Sequence, residues 1–445
     1  MIRIVHQTVA GLDVHKKTVV ATRMRVTEED RVEWETETFG TTTPDLLRLH
    51  DWLLEWSLSH VAMESTADYW KPIFNILEDS FEVWLVNAQH VKHVPGRKTD
   101  AKDSEWLAEL MLHGLLKPSF IPPQPQRALR ELTRYRTTLV QERVRVVNRV
   151  QKLLEGANIK LSSVASDIMG VSARAMLAEI AAGQTDAASM ADLAKGRMRS
   201  KIPELEKALT GRVQPHHRFV LAQQLEHIDY LEEKIEIIGA AIAQQIEDMS
   251  RPEDPAALSR TDPDAADSQQ PVKPQVVLSY AEAVDLLCTV PGIDTKRAES
   301  ILGEIGTNMG QFRTDDALAA WSGLAPGNHE SGGKRYSGRT TQGNSIIQST
   351  VVQAAWSAVR AEDNRLKARY QRLVVRRGKK RAIVAVAHTM IVIIWHILAY
   401  GEPYQELGAD YYDQRKKESK MNYLIRQLEK LTGGSVSIEL QPVAA

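Results

Sequence analysis

Thr8-Val9-Ala10-Gly11-Leu12-Asp13-Val14 decides how this chain is read. It is an apolar, β-branched run with one carboxylate near its end. A carboxylate is costly in such a place unless something cationic pairs with it. Thr18–Val26 has the same character, and His15-Lys16-Lys17 between the two runs suits a hairpin. Arg31–Thr43 reads as a third strand. Asp45–Ser57 reads as a helix, because Leu46, Leu47, Leu49, Trp52, Leu53, Leu54 and Trp56 recur at helical spacing. His60–Glu64 is a short strand, Tyr69–Leu77 a helix, Phe81–Asn87 a strand, and Ser104–Leu116 a helix after a polar, basic loop.

The order βββαβαβα over residues 1–120 is that of an α/β RNase H-like fold. Asp13 and Glu64 end apolar strands, while Asp100 and Asp103 fall in Lys98-Thr99-Asp100-Ala101-Lys102-Asp103. Taken singly, each acid would be a cap or turn residue. Jointly they point to metal. Asp100 and Asp103 share one helix face or the turn leading into it, and like charges there repel unless a cation lies between them. Four such carboxylates suit two divalent ions, which can clamp the attacking and leaving oxygens of a phosphodiester. Arg97, Lys98 and Lys102 flank the acid pair, and His90, Lys92 and His93 precede it. A solvated loop would have the same composition. Beside a dense carboxylate cluster, phosphate contacts to a polyanion are the better reading.

The chain has 445 residues, enough for two or three domains, and a formal net charge of -1. Any nucleic-acid footprint must therefore be local. A single cysteine, Cys288, excludes a disulfide framework and a cysteine-rich zinc site. The N-terminus lacks the long apolar core of a signal peptide. Both features fit a reducing, cytoplasmic setting. Ala382–Ala399 is long and apolar enough to imitate a membrane span, yet His388 and His396 interrupt it. It reads as a buried core helix, with no membrane partner.

Pro118–Gln126 marks a boundary. Residues 127–249 read as a helical arm. Leu132, Leu139, Val146 and Leu153 repeat every seven residues, as do Leu221, Ile228, Ile235, Ile242 and Met249, so the two helices could pair as an antiparallel coiled coil. The first is basic (Arg127, Arg130, Arg134, Arg136, Arg143, Arg145, Arg149, Lys152) and the second mostly acidic. Residues 156–215 are helical in composition without a motif. Residues 250–277 have the composition of a disordered linker. A mainly helical unit spans 278–400, and 401–445 is a tail with a helix over Lys417–Leu431. In Leu286-Leu287-Cys288-Thr289-Val290-Pro291-Gly292-Ile293, a Pro-Gly turn between helices suggests a helix-hairpin-helix, with Gly292 opening backbone N–H groups to a phosphate; an ordinary αα turn is the alternative. Ser331, in His329-Glu330-Ser331-Gly332-Gly333-Lys334, is by composition a turn residue, with Lys334, Arg335 and Arg339 nearby.

The combination resembles the DEDD transposases of bacterial insertion sequences, the "one-ten" family. The carriers are Asp13, Glu64 and Lys-Thr-Asp-x-x-Asp in the first part. In the second they are Val290-Pro291-Gly292-Ile293, Trp321-Ser322-Gly323-Leu324-Ala325-Pro326, Ser331-Gly332 and Gly343-Asn344. The resemblance implies an RNase H-like (RuvC-type) domain, a coiled-coil arm and a C-terminal transposase domain. It implies that Asp13, Glu64, Asp100 and Asp103 bind magnesium, or manganese in its place, and that Ser331 attacks DNA to form a covalent intermediate. It also implies a structured non-coding guide RNA pairing with donor and target DNA, and a homo-oligomer assembled as a dimer of dimers. Base pairing would then choose the sequence, leaving backbone and shape contacts to the protein. Ile347-Gln348 stands where the family usually has Leu-Arg after Gly-Asn-x-x.

The sequence-level reading is thus a recombinase that cuts and rejoins DNA to move its own element. Two rivals remain at this level. One is a metal-dependent nuclease of the Holliday-junction type that uses water. The other is an inactive nucleic-acid-binding protein.

Overall fold

β1 (Thr8–Val14), β2 (Thr18–Val26) and β3 (Val32–Gly40) form an antiparallel meander. α1 (Thr43–Leu54) then leads to β4 (His60–Glu64), and α2 (Trp70–Leu77) leads to β5 (Glu82–Val86). The strands make one mixed sheet in the order β3-β2-β1-β4-β5, with β1, β4 and β5 parallel. α3 (Asp103–Leu112) follows. The computed structural model describes residues 4–64, 68–86, 103–251, 276–327, 329–331, 334–340, 342–362 and 364–434, with only the backbone for 329–331, 334–337, 413–416 and 418–420. The chain divides into two compact units, Met1–Ile121 and Pro122–Ala445.

The pleat of the first unit sorts its side chains. Ala10, Leu12, Val14, Val61 and Met63 join one buried cluster with α1 and α2. Val9, Met24, Ala62 and Val86 join a second with α3. Successive strand residues point to opposite faces, so one helical layer forms on each side. Each fully buried aliphatic side chain contributes roughly 1.5–3 kcal/mol. The third strand is shorter than Arg31–Thr43 because Thr42 becomes the N-cap residue of α1, whose first turn holds Pro44. Similarly α3 stops at Leu112 instead of Leu116, with Gly114 turning out of the helix at φ 65°.

The second unit is mostly helical. α4 (Gln124–Gly156) is followed by the short helices α5 (Leu161–Val164), α6 (Val171–Ala182), α7 (Ala187–Ala191) and α8 (Ile202–Leu209), then by α9 (Pro215–Ser250). α4 and α9 run antiparallel: Arg143 Nε donates to Glu232 at 2.7 Å, and Gln245 near the end of α9 reaches the Pro125 carbonyl at the start of α4. Leu139, Val146, Leu221 and Ile228 lie in their shared core. Residues 156–215, which carry no sequence motif, supply α5–α8, and Met176, Leu177, Ile180 and Leu205 complete that same core. Of the linker, residues 252–275 lie outside the described residues.

α10 (Tyr280–Cys288), α11 (Thr295–Ile305), α12 (Asp315–Trp321), β6 (His329–Ser331), β7 (Lys334–Ser337), α13 (Ser345–Ala358), α14 (Arg365–Tyr400) and α15 (Tyr411–Thr432) complete the chain. α14 contains the apolar run 382–399 and is long and apolar enough to cross a membrane. Ile383, Val386, Met390, Ile391, Ile394 and Leu398 on it are buried within the protein. α15 begins at Tyr411, before the expected Lys417.

Candidate active site

The register of β1 on β4 sets the geometry of the acids. Gly11 pairs with Ala62 and Leu12 with Met63, so the next residues, Asp13 and Glu64, stand level at the carboxyl ends of adjacent parallel strands. Level residues of parallel strands point to the same face. That face is the one covered by α3, since Leu12 and Met63 join the opposite cluster. Both acids are half-buried. Asp103 opens α3. The helix lies antiparallel to β1, with its last carbonyl, Leu112 O, bonded to the amide of Val5 below the strand. Its first residue is therefore directed toward the strand end that carries Asp13. Ser104, the next residue, bonds Thr22 through paired hydroxyls at 2.9 Å and fixes that helix start on the sheet. Gly11 makes the close approach feasible: a Cβ there would stand 2.2 Å from Ser104 O and 2.5 Å from Ala108 N.

The strand register thus brings Asp13 and Glu64 level, with the start of α3 on their face. Asp100, Arg97, Lys98 and Lys102 lie outside the described residues. Among the described residues, no three His, Cys, Asp or Glu side chains converge closely enough to hold a metal ion. The donor chemistry is nevertheless of one kind. Carboxylate oxygens at Asp13 and Glu64 are hard ligands, suited to magnesium or manganese over softer metals. A residue that motif reading left without a role is His15. Its Nε2 lies 3.1 Å from Asp13 Oδ2. The signal was present, since Asp13 and His15 are two apart on an extended segment and share a face.

In the second unit, Ser331 ends β6, opposite Lys334, and Glu330 pairs with Arg335. The hairpin rises from a base made by the residues on either side of it, 321–327 and 339–348. Pro326 bridges to Thr340, and Gly327 N donates to Arg339 O at 2.9 Å. Arg339 is exposed. Asn344 N donates to Trp321 O at 3.0 Å, and a Cβ on Gly343 would stand 2.2 Å from Gly323 N. Gln348, the residue that departs from the family pattern, donates its side-chain amide to Gly323 O at 2.6 Å. It therefore serves the hairpin base.

One buried residue ties this base to the rest of the unit. Glu304, 1% exposed, receives two bonds from Arg134 at 2.7 and 2.9 Å and one from Asn344 Nδ2 at 2.7 Å. Asn344 in turn caps α13, accepting from Ile346 N and Ile347 N. Arg130 donates to the carbonyls of Gly303 and Glu304 at 3.1 and 2.6 Å. Burial pulls the Arg130 guanidinium down to about 10, against the opposing pull of Glu304. Arg136 pairs with the buried Glu299 and donates to Lys296 O at 2.8 Å. Three of the arginines that make α4 look like a basic stripe are thus internal struts to α11. Neither Glu304 nor Glu299 carries a sequence signal that separates it from solvated helix acids.

Gly292 is also placed differently from the expectation. At φ 87°, its Cα is pressed on α13, where a Cβ would meet Ala354 O at 2.3 Å. The first turn of α11 is capped by Asp294, which accepts from Arg297 N at 2.9 Å. Gly292 here serves packing between helices, and the acid occupies the capping position where a phosphate would have been read.

Residues 10–159 match the IS110-type DEDD transposase family, and residues 284–371 match the family described as Transposase IS116/IS110/IS902. A Pseudomonas aeruginosa protein described as a probable family 20 transposase is 26% identical over 346 residues, covering 76% of this chain and 83% of that protein. The transposase for insertion sequence element IS1111A of Coxiella burnetii is 31% identical over 121 residues, covering 26% of this chain and 33% of its own length.

Proposed function

We propose that this chain, which belongs to the IS110 family of insertion-sequence transposases, uses a carboxylate-held metal site and a serine nucleophile to cut and rejoin DNA. The register of β1 on β4 carries this reading, because it sets Asp13 and Glu64 level at the ends of two parallel strands, over the start of the helix that Asp103 opens. Asp13, Glu64, Asp100 and Asp103 would hold divalent ions. Such ions supply charge neutralisation on the phosphate and acidify a nearby hydroxyl. His15 holds Asp13 from the open side and fixes the orientation of that carboxylate.

Ser331 is the nucleophile in this reading. Its Oγ bonds to phosphorus as the bond to the leaving sugar oxygen breaks; the serine proton passes to solvent and the leaving oxygen takes one up from solvent, departing as a sugar hydroxyl. The strand end stays on the protein as a phosphoester. An incoming sugar hydroxyl then reverses the step and releases Ser331. Lys334, Arg335 and Arg339, around the same hairpin, would balance the phosphate charge. The antiparallel pair α4 and α9 is the proposed coiled-coil arm of a homo-oligomer, and α10–α11 the proposed helix-hairpin-helix. A structured RNA beside the gene would supply sequence choice by pairing with donor and target DNA.

The test is a denaturing gel of protein with element-end DNA, the RNA and magnesium. Wild type yields a protein–DNA adduct that chelation abolishes. Ser331→Ala and Asp13→Ala yield neither adduct nor joined strands. An adduct in Ser331→Ala removes the nucleophile assignment, and clean hydrolysis by the wild type returns the water-using nuclease.

A further inference from the structure

α14 is broken at Gly378, whose φ of 73° and ψ of 164° are not helical. Around that break stand Arg376, Arg377, Lys379, Lys380 and Arg381, five cations in six residues. All five are exposed. Among the described residues none of the five has an ion-pair partner. Their neighbours on the same helix differ. Arg369 meets the Tyr412 hydroxyl, Arg372 lies over the Tyr412 ring, and Arg365 lies over the rings of Tyr404 and Tyr411. The elbow also stands clear of the protein, for a Cβ added at Gly378 would meet no atom within 4 Å. Val375 beside it is 86% exposed.

Five unpaired like charges repel one another, and Lys379, Lys380 and Arg381 follow the break at the start of a helical arm, where the backbone dipole disfavours cations. Solubility alone does not ask for this, since the five cations bring the chain as a whole closer to neutrality, to a net -1. The elbow is also held firmly on one side. Ala382 and Ile383, which follow at once, are 0% and 3% exposed and anchor it to the core. A rigidly rooted, protruding, unpaired cationic corner suits a ligand with regularly spaced negative charge.

We propose that the Gly378 elbow is a contact site for the phosphodiester backbone of a nucleic-acid strand, outside the 284–371 span that matches the transposase family. The shared chemistry is the phosphate, whether from duplex DNA or from folded RNA. The site rests on the handling of nucleic acid by this chain and on no catalytic assignment.

The experiment compares the full chain with a variant in which Arg376, Arg377, Lys379, Lys380 and Arg381 are all glutamine. Binding to an element-end duplex and to the structured RNA is titrated across salt. Each lost phosphate contact lowers the slope of log affinity on log salt by about 0.9 for a duplex and about 0.7 for a single strand. Three contacts would weaken duplex binding by roughly a hundredfold at about 0.15 M salt. A lowered slope with DNA alone, RNA alone or both supports the site and says which strand it holds. Arg376→Lys, Arg377→Lys and Arg381→Lys together keep the charge and keep the slope. Unchanged slopes with both ligands overturn the proposal. So does an elbow needed only for binding to anionic phospholipid vesicles. The slope is read from binding alone, with no magnesium and no strand joining, so loss of the chemical reading and loss of this one are separable.

Discussion

Glu304→Ala tests whether the buried glutamate holds α4, α11 and α13 together. In the wild type, its carboxylate receives the fork of Arg134 and the amide of Asn344, and Arg130 lies 3.5 Å from Oε2. Removing one partner of a buried ion pair is destabilising by about 3–5 kcal/mol, because the other charge is left uncompensated. Two facts set the value here. Arg134 is 38% exposed and can turn to water, while Arg130 is only 16% exposed and still bonds two carbonyls. The expected loss is therefore near the lower bound, about 3 kcal/mol. Arg134→Ala should lose less, about 1–2 kcal/mol, since Glu304 keeps Asn344 as a donor and Arg130 as an ion-pair partner. The double variant should fall short of the sum by roughly 1 kcal/mol or more, as expected for groups in one network. Urea unfolding of the full chain, followed by hydrogen exchange of α11 and α13 amides, reads the second unit directly. If Glu304→Ala unfolds at the wild-type urea concentration, or if the two losses simply add, the network carries none of the stability assigned to it.

Two further outcomes follow from the first unit. Gly11→Ala puts a methyl group 2.2 Å from a backbone oxygen of α3, which cannot move as a side-chain tip does. It should destabilise the sheet by at least about 3 kcal/mol and shift the helix that Asp103 opens, so adduct formation should fall with it; wild-type urea unfolding of this variant would contradict the close approach. His60, packed 4.0 Å from His6 and paired with Glu82 at 3.1 Å, has its imidazole held below the ordinary histidine value of 6.5, chiefly by burial and next by His6. The unfolded chain then takes up a proton that the folded unit resists, so stability is full above about 6.5 and declines as pH falls from there toward the folded value. His60→Gln should flatten that acid-side slope in urea titrations between pH 7 and 5, and an unchanged slope would assign it to other groups.

Much of the first unit was legible because its elements follow simple periods. Thr8–Val14 and Thr18–Val26 coincide with the observed strands, and His60–Glu64 likewise. Continuous apolar, β-branched runs and short turns are local properties, and they mark the strands along the chain. Asp13 and Glu64 stood out for the same reason, as carboxylates closing apolar runs. Residues 156–215 were not legible. Their helices are short, and their apolar residues are buried against one another and against α4 and α9, a core that no single short stretch displays.

What the sequence alone determined is the set of elements, the candidate acids and the motif that carries Ser331. Those depend on which residues stand next to one another. Tertiary structure alone decided the use of the charges. α4 looked uniformly basic, yet Arg130, Arg134 and Arg136 are spent on Glu299, Glu304 and α11 carbonyls, while the five cations at Gly378 keep no such partner among the described residues. An arginine reads the same in a sequence whether it faces a buried glutamate or water. Its electrostatic work is set by the dielectric and the partner around it, and both are supplied by segments distant along the chain.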